Sequence, residues 1–281
     1  MKIFSGTEGE KIELDMAQQE SERQHGDDDK DLHPDPKVSA QNRGSIQYTQ
    51  TRIFDPLPSV LSKNRIVADS LGTPAAEVFR MLRTQVRLRM KRRGARTLGI
   101  CSARETEGKS LIALNLAISM SLDVNQTVLL TELDLRRPSM CRTIGYAPEF
   151  GLDDYFLGAA SIPECLVNIG FERLVLLPAR QPMARASEYL ASPCMMELSK
   201  ELRDRYPDRM VIYDMPPILT TDESISIMNK LDACLFVVEE GNTGKKDVER
   251  AIELLDRDRL IGTVLNKASA LHNKPYTYTY Y

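Results

Sequence analysis

Histidine is scarce in this chain, and its positions narrow the possible chemistry. Only three histidines occur, His25, His33 and His272, and all lie in segments that we expect to be tails. A Ser-His-Asp hydrolase and a histidine-based zinc site each need histidine inside the folded domain. Both classes are therefore excluded, and the chemistry must depend on carboxylates, lysine, arginine and a bound metal ion.

Other features are missing as well. The five cysteines form no C-x-x-C pair, a usage typical of reduced thiols in a cytoplasmic protein. No apolar run reaches the roughly 18 residues of a membrane span, and no basic-then-apolar signal pattern begins the chain. We therefore expect a protein that neither crosses a membrane nor is exported. With 37 basic and 40 acidic residues the net charge is -3, which gives no general reason to expect a nucleic-acid partner.

Composition divides the 281 residues into three parts. Residues 1–64 are rich in Glu, Gln, Asp, Lys and Ser, so we expect a largely disordered N-terminal region with a helical patch or short docking segment near Ile53 to Val60. Residues 65–270 carry the periodic apolar pattern of a folded domain. Residues 271–281 are expected to form a flexible, tyrosine-rich tail.

The stretch from Thr97 to Asn115 has the pattern of a nucleotide phosphate-binding loop. Apolar residues from Leu98 to Cys101 predict a buried strand, and an apolar pattern of helical period begins at Gly108. A helix N-terminus binds phosphate through its free backbone N–H groups. Lys109 can then reach the β- and γ-phosphates, and the Ser110 hydroxyl can ligate Mg²⁺. The alternative is that Gly-Lys-Ser merely starts an ordinary helix.

Short apolar strands alternate with helical stretches after this loop. The alternation predicts an α/β fold of the P-loop NTPase type, with a doubly wound, mainly parallel sheet and helices on both faces. The predicted strands are Leu98–Cys101, Thr127–Thr131, Arg173–Leu177, Met210–Tyr213, Ala233–Val238 and Ile261–Leu265. The helical stretches that separate the later strands include Ser187–Arg205, Asp222–Lys230 and Lys245–Asp256.

Two carboxylates follow predicted strands. Asp134 lies just beyond the second strand, and Asp214 comes directly after the fourth. Ligands bind beyond the carboxyl ends of strands in such sheets, so both should face the edge that carries Lys109. One carboxylate near Mg²⁺ and another near the attacking group is the arrangement that phosphoryl transfer requires. Each residue taken alone could instead be a turn former or an N-cap.

A strong helix is predicted over Pro74 to Lys91, with Thr73 as N-cap and Pro74 at the first helical position. Apolar side chains recur near the helical period at Val78, Met81, Leu82 and Leu88. Charged residues follow at spacings of three along one side: Glu77, Arg80 and Arg83. These charges indicate either a solvated, salt-bridged face or a contact between subunits.

The last six residues hold four of the ten tyrosines, at positions Tyr276, Tyr278, Tyr280 and Tyr281. A flexible end of this kind can enter a neighbouring active site, and phosphorylation would add charge that alters assembly. Alternating Tyr-Thr also suits a frayed tail or a terminal β-strand.

Together these motifs resemble the bacterial tyrosine kinases of capsule and exopolysaccharide synthesis. The motif EGKS, the acidic motif LLTELDLRRPS and the motif VIYDMPP resemble the family's Walker A, Walker A′ and Walker B motifs. The likeness runs from about Arg65 to the C-terminus and includes GLDDYFLG from Gly151, SEYLASPCM from Ser187 and the terminal YTYTYY. The phrase RYPDRMVIYDMPP is most similar to autokinases found with exosortase systems.

The resemblance implies a role for individual residues. The catalytic residues would be Lys109, Asp134, Asp214 and Glu132. ATP would be bound by Thr106, Glu107, Gly108, Lys109, Ser110, Leu111 and, at the adenine, Asn266. Mg²⁺ would be held near Ser110, Asp214 and Asp134. Autophosphorylation would occur at Tyr276, Tyr278, Tyr280 and Tyr281, and oligomerisation would use the E-x-x-R-x-x-R motif of Glu77, Arg80 and Arg83.

The resemblance also implies partners. Kinases of this form are activated by a membrane-embedded polysaccharide co-polymerase, so this chain would lie in the cytoplasm, at the inner face of the membrane. It would form a homo-oligomeric ring when unphosphorylated and dissociate when its tail is phosphorylated. A protein-tyrosine phosphatase is a further expected partner.

Departures from the family pattern keep two alternatives open. Glu132 stands where the family has Asp, which moves the carboxylate by roughly 1.5 Å. Ala103 and Thr106 replace residues that are usually glycine in such loops, and Arg180 stands where the family tends to have Gly. One alternative is a regulatory pseudokinase that binds ATP without transferring phosphate. The other is a positioning ATPase similar to MinD and ParA, whose signature Lys would correspond to Arg104.

Overall fold

Nine strands form one sheet in the computed structural model, which describes residues 3–4, 51–70, 72–206 and 208–268. Numbered in chain order, the strands are β1 (Ile3–Phe4), β2 (Arg52–Ile53), β3 (Thr97–Ser102), β4 (Thr127–Glu132), β5 (Val167–Asn168), β6 (Leu174–Leu177), β7 (Arg209–Asp214), β8 (Ala233–Glu239) and β9 (Leu260–Asn266). The order across the sheet is β1-β9-β8-β3-β7-β4-β6-β5-β2.

The six central strands, from β9 to β6, are all parallel. They are the six strands that the sequence predicts, within one or two residues at each end. The short outer strands β1, β2 and β5 were not predicted, and the pairs β1/β9 and β5/β6 are antiparallel. The predicted α/β class with a mainly parallel sheet is therefore confirmed.

Helices cover the sheet on both faces. They are α1 (Pro58–Lys63), α2 (Pro74–Arg93), α3 (Lys109–Ser121), α4 (Met140–Ile144), α5 (Leu152–Phe156), α6 (Ile162–Cys165), α7 (Ala186–Ala191), α8 (Pro193–Asp204), α9 (Glu223–Met228) and α10 (Lys245–Leu254). Alternate residues of each central strand enter opposite cores: Leu98 and Ile100 of β3 pack with α2 and α3, whereas Cys101 packs with α7, α8 and α9. None of the described helices is long and apolar enough to cross a membrane.

Helix α2 begins as predicted but buries a different face. Thr73 caps it by accepting a hydrogen bond from the Ala76 N–H at 3.2 Å. The buried side chains are Ala76, Phe79, Leu82, Val86 and Met90. Met81 and Leu88, expected on the apolar face, are 61% and 48% exposed. Of the expected residues Leu82 is buried, but the expected set forms a stripe of similar width on a neighbouring side of the helix from the stripe that packs against the core.

The single helical stretch predicted over Ser187–Arg205 is two helices. Ser192 lies in an extended conformation between α7 and α8, and its hydroxyl accepts a hydrogen bond from the Met195 N–H. The physical reason is Pro193, which disfavours a helical conformation in the residue before it and cannot donate a backbone hydrogen bond.

Residues 51–64 contact the domain. The Phe54 and Tyr146 rings contact each other in a tilted arrangement with centroids 4.8 Å apart, and Phe54 and Leu61 pack against the core on the α2 side of the sheet. Helix α1 (Pro58–Lys63) overlaps the end of the segment near Ile53 to Val60 that was predicted to hold a helical patch or docking element. The division of the chain at residues 64 and 271 stays a prediction.

Candidate active site

The predicted phosphate-binding loop joins β3 to α3. Gly108 is the N-cap of α3 and has a left-handed backbone with φ of +91°. A Cβ atom built on Gly108 would lie 2.1 Å from Nδ2 of Asn266. Only glycine meets both demands, because it tolerates positive φ and adds no side chain. The strand, loop and helix order predicted around Lys109 and Ser110 is therefore present.

The last residue of β9 and the residue after it hold the loop from the side. The Asn266 amide donates to the Glu107 carbonyl at 2.9 Å, and the Lys267 ammonium donates to the Thr106 carbonyl at 2.8 Å. The structure thus places Asn266 against the loop backbone. Thr106 itself has a φ of +64°, the left-handed conformation that its β-branched side chain disfavours.

Side chains from three other segments pair with the loop. Arg104 binds Asp247, in the first turn of α10, through two hydrogen bonds of 2.7 and 3.0 Å. Glu105 forms an ion pair with Arg137. The buried Glu107 carboxylate accepts hydrogen bonds from the Arg104 N–H and from the Thr243 hydroxyl. The sequence analysis missed Asp247 and Thr243, which lie more than a hundred residues from the loop.

Lys109 and Asp134 form a buried ion pair. The Lys109 ammonium lies 2.7 Å from Oδ2 of Asp134, and their side chains are only 11% and 7% exposed. Burial lowers the pKa of Lys109, but the nearby carboxylates of Asp214, Asp134 and Glu132 outweigh this effect and leave it raised. The lysine therefore carries its charge, positioned where the loop would receive phosphate.

Asp214 ends β7, between the strands that carry the loop and Asp134. Its side chain is fully buried, and neither carboxylate oxygen has a hydrogen-bond partner among the described residues. Burial raises the pKa of Asp214 to about 6, although the nearby Lys109 ammonium and Ser110 hydroxyl act to lower it. An unpaired carboxylate beside a serine hydroxyl is a suitable oxygen ligand set for Mg²⁺ bound together with phosphate.

No group of three or more His, Cys, Asp or Glu side chains in the described ranges could hold a metal ion without further ligands.

Glu132 lies in register with Asp214 on the neighbouring strand. Its carboxylate accepts hydrogen bonds from three backbone N–H groups: those of Ser139 at 2.5 Å, Met140 at 2.9 Å and Ala179 at 3.2 Å. Complete burial raises the pKa of Glu132 to about 8, and Asp214 adds to the rise, whereas the three N–H donors oppose it.

The remaining predicted positions lie apart from this centre or outside the described residues. Leu111, in the first turn of α3, packs against the core on the α2 side. Glu77 and Arg80 form an ion pair on α2, and the Arg83 guanidinium donates to the Ser119 carbonyl of α3 at 2.8 Å. The four tyrosines Tyr276, Tyr278, Tyr280 and Tyr281 lie outside the described residues.

Two ion pairs between an arginine and a carboxylate near the site were not predicted from the sequence. Arg136 pairs with the fully buried Glu223, and its guanidinium also donates to the Ser187 hydroxyl. Arg180, noted only as a departure from the family pattern, binds Asp154 through hydrogen bonds of 2.9 and 2.8 Å. The acidic partners come from distant helices, which the sequence alone does not bring together.

No protein-family model matches the chain. The succinoglycan biosynthesis transport protein ExoP of Rhizobium meliloti is 29% identical over 229 residues, which are 80% of this chain but only 29% of ExoP. The chain therefore spans less than a third of that relative. The tyrosine-protein kinase YwqD of Bacillus subtilis is 28% identical over 222 residues, which are 78% of this chain and 92% of YwqD.

A solved structure shares the fold. The kinase domain of the Escherichia coli tyrosine kinase ETK matches with a TM-score of 0.68 and 23% identity, over 82% of this chain and 94% of that domain. The P-loop fold predicted from the sequence is confirmed by this likeness. In sequence and in fold the chain is thus similar to bacterial tyrosine kinases.

Proposed function

We propose that the protein is an ATP-dependent protein-tyrosine kinase that phosphorylates its own C-terminal tyrosine cluster in trans and regulates exopolysaccharide synthesis or export. The observation that carries the proposal is the convergence of Lys109, Asp134 and Asp214 at one sheet edge beside the loop. The relatives named as a tyrosine-protein kinase and as a succinoglycan transport protein support the reaction and the system.

The chain's own residues suit this reaction. ATP with Mg²⁺ would supply the phosphoryl group and offset its negative charge. The backbone N–H groups from Thr106 to Ser110 would hold phosphate, and Lys109 would exchange its contact with Asp134 for one with the phosphates. Asp214 and Ser110 would hold Mg²⁺. Asp134, released from Lys109, would accept the proton of the tyrosine hydroxyl, whose ordinary pKa is about 10.

The partners belong to the same proposal. A membrane-embedded polysaccharide co-polymerase would activate the kinase from the membrane while the kinase itself stays in the cytoplasm. Unphosphorylated chains would assemble into a ring through Glu77, Arg80 and Arg83, and a protein-tyrosine phosphatase would reverse the modification. The ExoP name supports a polysaccharide transport system as the setting.

A regulatory pseudokinase is the second candidate, and two observations favour it. Thr106 holds a strained left-handed conformation in the loop, and Glu132 has both carboxylate oxygens engaged by backbone N–H groups. A protein with these features can bind nucleotide and assemble without transferring phosphate.

The deciding experiment is phosphopeptide and intact-mass analysis of the full chain incubated with ATP and Mg²⁺ in the presence of the cytoplasmic segment of the activating co-polymerase. Lys109→Met should abolish tail phosphorylation, because it removes the charge that meets the phosphates. Lys200→Met, at an exposed position on α8, is the matched control and should label like wild type. Tight ATP binding without phosphotyrosine would support the pseudokinase. Steady phosphate release without labelling would instead indicate a positioning ATPase.

A further inference from the structure

One buried carboxylate joins two loops at the carboxyl edge of the sheet. Oε1 of Glu132 accepts the N–H groups of Ser139 and Met140, at the start of α4. Its other oxygen, Oε2, accepts the N–H of Ala179, in the loop that follows β6. The Glu132 side chain is completely buried, so no solvent competes for these bonds.

The loop after β4 carries a group of the candidate site, and the loop after β6 is bonded to it. The turn that Glu132 closes contains Asp134, whose Oδ1 accepts the Arg137 N–H at 3.2 Å while Oδ2 binds Lys109. The loop after β6 bonds to the same turn, because the Met183 N–H donates to the Leu135 carbonyl at 2.8 Å. Moving either loop would therefore move Asp134 relative to the phosphate-binding loop.

The neighbouring Asp214 carboxylate differs from Glu132 in its hydrogen bonding. Asp214 is in register with Glu132 and is equally buried, yet its two oxygens have no hydrogen-bond partner within the described ranges. Asp214 is thus available to a metal ion, whereas the oxygens of Glu132 are engaged. Removing Glu132 from its three donors would leave buried N–H groups unsatisfied, which is unfavourable.

We propose that Glu132 is a positioning residue rather than a metal ligand or proton acceptor: its longer side chain ties the loops after β4 and β6 together and so fixes Asp134 beside Lys109. This inference rests on the proposed kinase function for its rate readout. It assigns the Glu at this position a role that an Asp, shorter by roughly 1.5 Å, could not fill at both loops.

Two substitutions of Glu132 distinguish a positioning residue from a metal ligand or proton acceptor, because each role predicts a different order of activity for the two variants. Glu132→Gln keeps the side-chain length and one acceptor oxygen, so we expect tail labelling to slow by about tenfold. Glu132→Asp keeps the charge but cannot reach both loops, so we expect labelling to slow by about a hundredfold. A metal ligand or proton acceptor would give the reverse order, with Asp the more active. Glu164→Gln, an exposed carboxylate that also accepts a backbone N–H, is the control and should match wild type.

Hydrogen exchange of the nucleotide-free proteins supplies a readout that does not depend on activity. The amides of Ser139, Met140 and Ala179 should exchange faster in Glu132→Asp than in Glu132→Gln, with the rest of the sheet protected as in wild type. Glu132→Asp with labelling and protection equal to or above those of Glu132→Gln would overturn the inference. If wild type shows no labelling even with the cytoplasmic segment of the activating co-polymerase present, the kinase proposal fails, and the exchange order alone decides the role of Glu132.

Discussion

Asp214 combines full burial with an ionisable group, and this has a consequence for stability. Its pKa is raised to about 6 in the folded protein, against about 3.9 for an unperturbed Asp. The folded state therefore binds more protons than the unfolded state between about pH 4 and 6, so stability falls as the pH rises through this window. Without metal and nucleotide, the ionised carboxylate destabilises the fold at neutral pH by about 1–3 kcal/mol.

We therefore predict that Asp214→Asn stabilises the nucleotide-free protein at pH 7 while abolishing tail phosphorylation. The gain should be about 1–3 kcal/mol and should shrink as the pH is lowered towards 4. Chemical denaturation at a series of pH values measures it, with Asp258→Asn at an exposed position as control. Asp214 also raises the pKa of Glu132, so the difference between the two proteins contains both the Asp214 ionisation and the loss of this coupling. An Asp214→Asn protein less stable than wild type at pH 7 would contradict the argument.

At the residue scale, the sequence predicted the groups of the site better than their partners. Lys109, Asp134 and Asp214 follow from the rule that ligands bind at the carboxyl ends of parallel strands. The positive φ at Thr106 could be anticipated because glycine usually occupies such a loop position. The contacts of Glu132 with three backbone N–H groups could not, because backbone donors leave no mark in the sequence.

Among the elements, helix α2 carries charged side chains in two different environments. The Glu77–Arg80 ion pair lies on its surface, with the Glu77 side chain 55% exposed, and such a pair contributes little to stability. Arg83 instead donates to the Ser119 carbonyl of α3, and burial lowers its pKa, as do the neighbouring guanidinium groups. The two arginines of the predicted oligomerisation motif should therefore respond differently to substitution.

We predict that Arg80→Ala weakens self-association while changing the free energy of unfolding by less than about 0.5 kcal/mol. Arg83→Gln should weaken self-association as well. In addition it should lower the free energy of unfolding by about 1–2 kcal/mol, because the Ser119 carbonyl loses a charged donor. Sedimentation velocity and denaturation of the unphosphorylated proteins measure both effects, and Arg92→Ala on the exposed part of α2 is the control. Unchanged self-association in Arg80→Ala would remove the motif from the subunit contact.

The bounds of the strands and helices show which elements can be predicted from sequence patterns. The six central strands are continuous apolar runs buried on both faces, and these runs are distinctive enough to be found. The two-residue strands β1, β2 and β5 are too short to leave a periodic pattern. The break at Ser192 was available from Pro193, whereas the buried face of α2 depends on how the helix is rotated against α3.

At the scale of the whole molecule, the tail begins beside the phosphate-binding loop, because Lys267, directly after β9, is bonded to the Thr106 carbonyl. Tyr276 is nine positions after Lys267, a span of at most about 30 Å. A tail of this length can be presented to the loop of its own chain or to that of a neighbouring chain. In line with the proposed function, we expect transfer between chains.

Mixing two complementary proteins tests this expectation. Lys109→Met with an intact tail supplies acceptor tyrosines but no active loop, and a chain that ends at Pro275 supplies the loop but not the four tyrosines. We predict that the mixture phosphorylates the Lys109→Met tail, at a rate that rises with the concentration of the shortened chain. The shortened chain carrying Lys109→Met as well is the control and should give no label. Wild type that labels its own tail while the mixture stays unlabelled would show transfer within one chain, because only then do loop and tyrosines have to share a polypeptide.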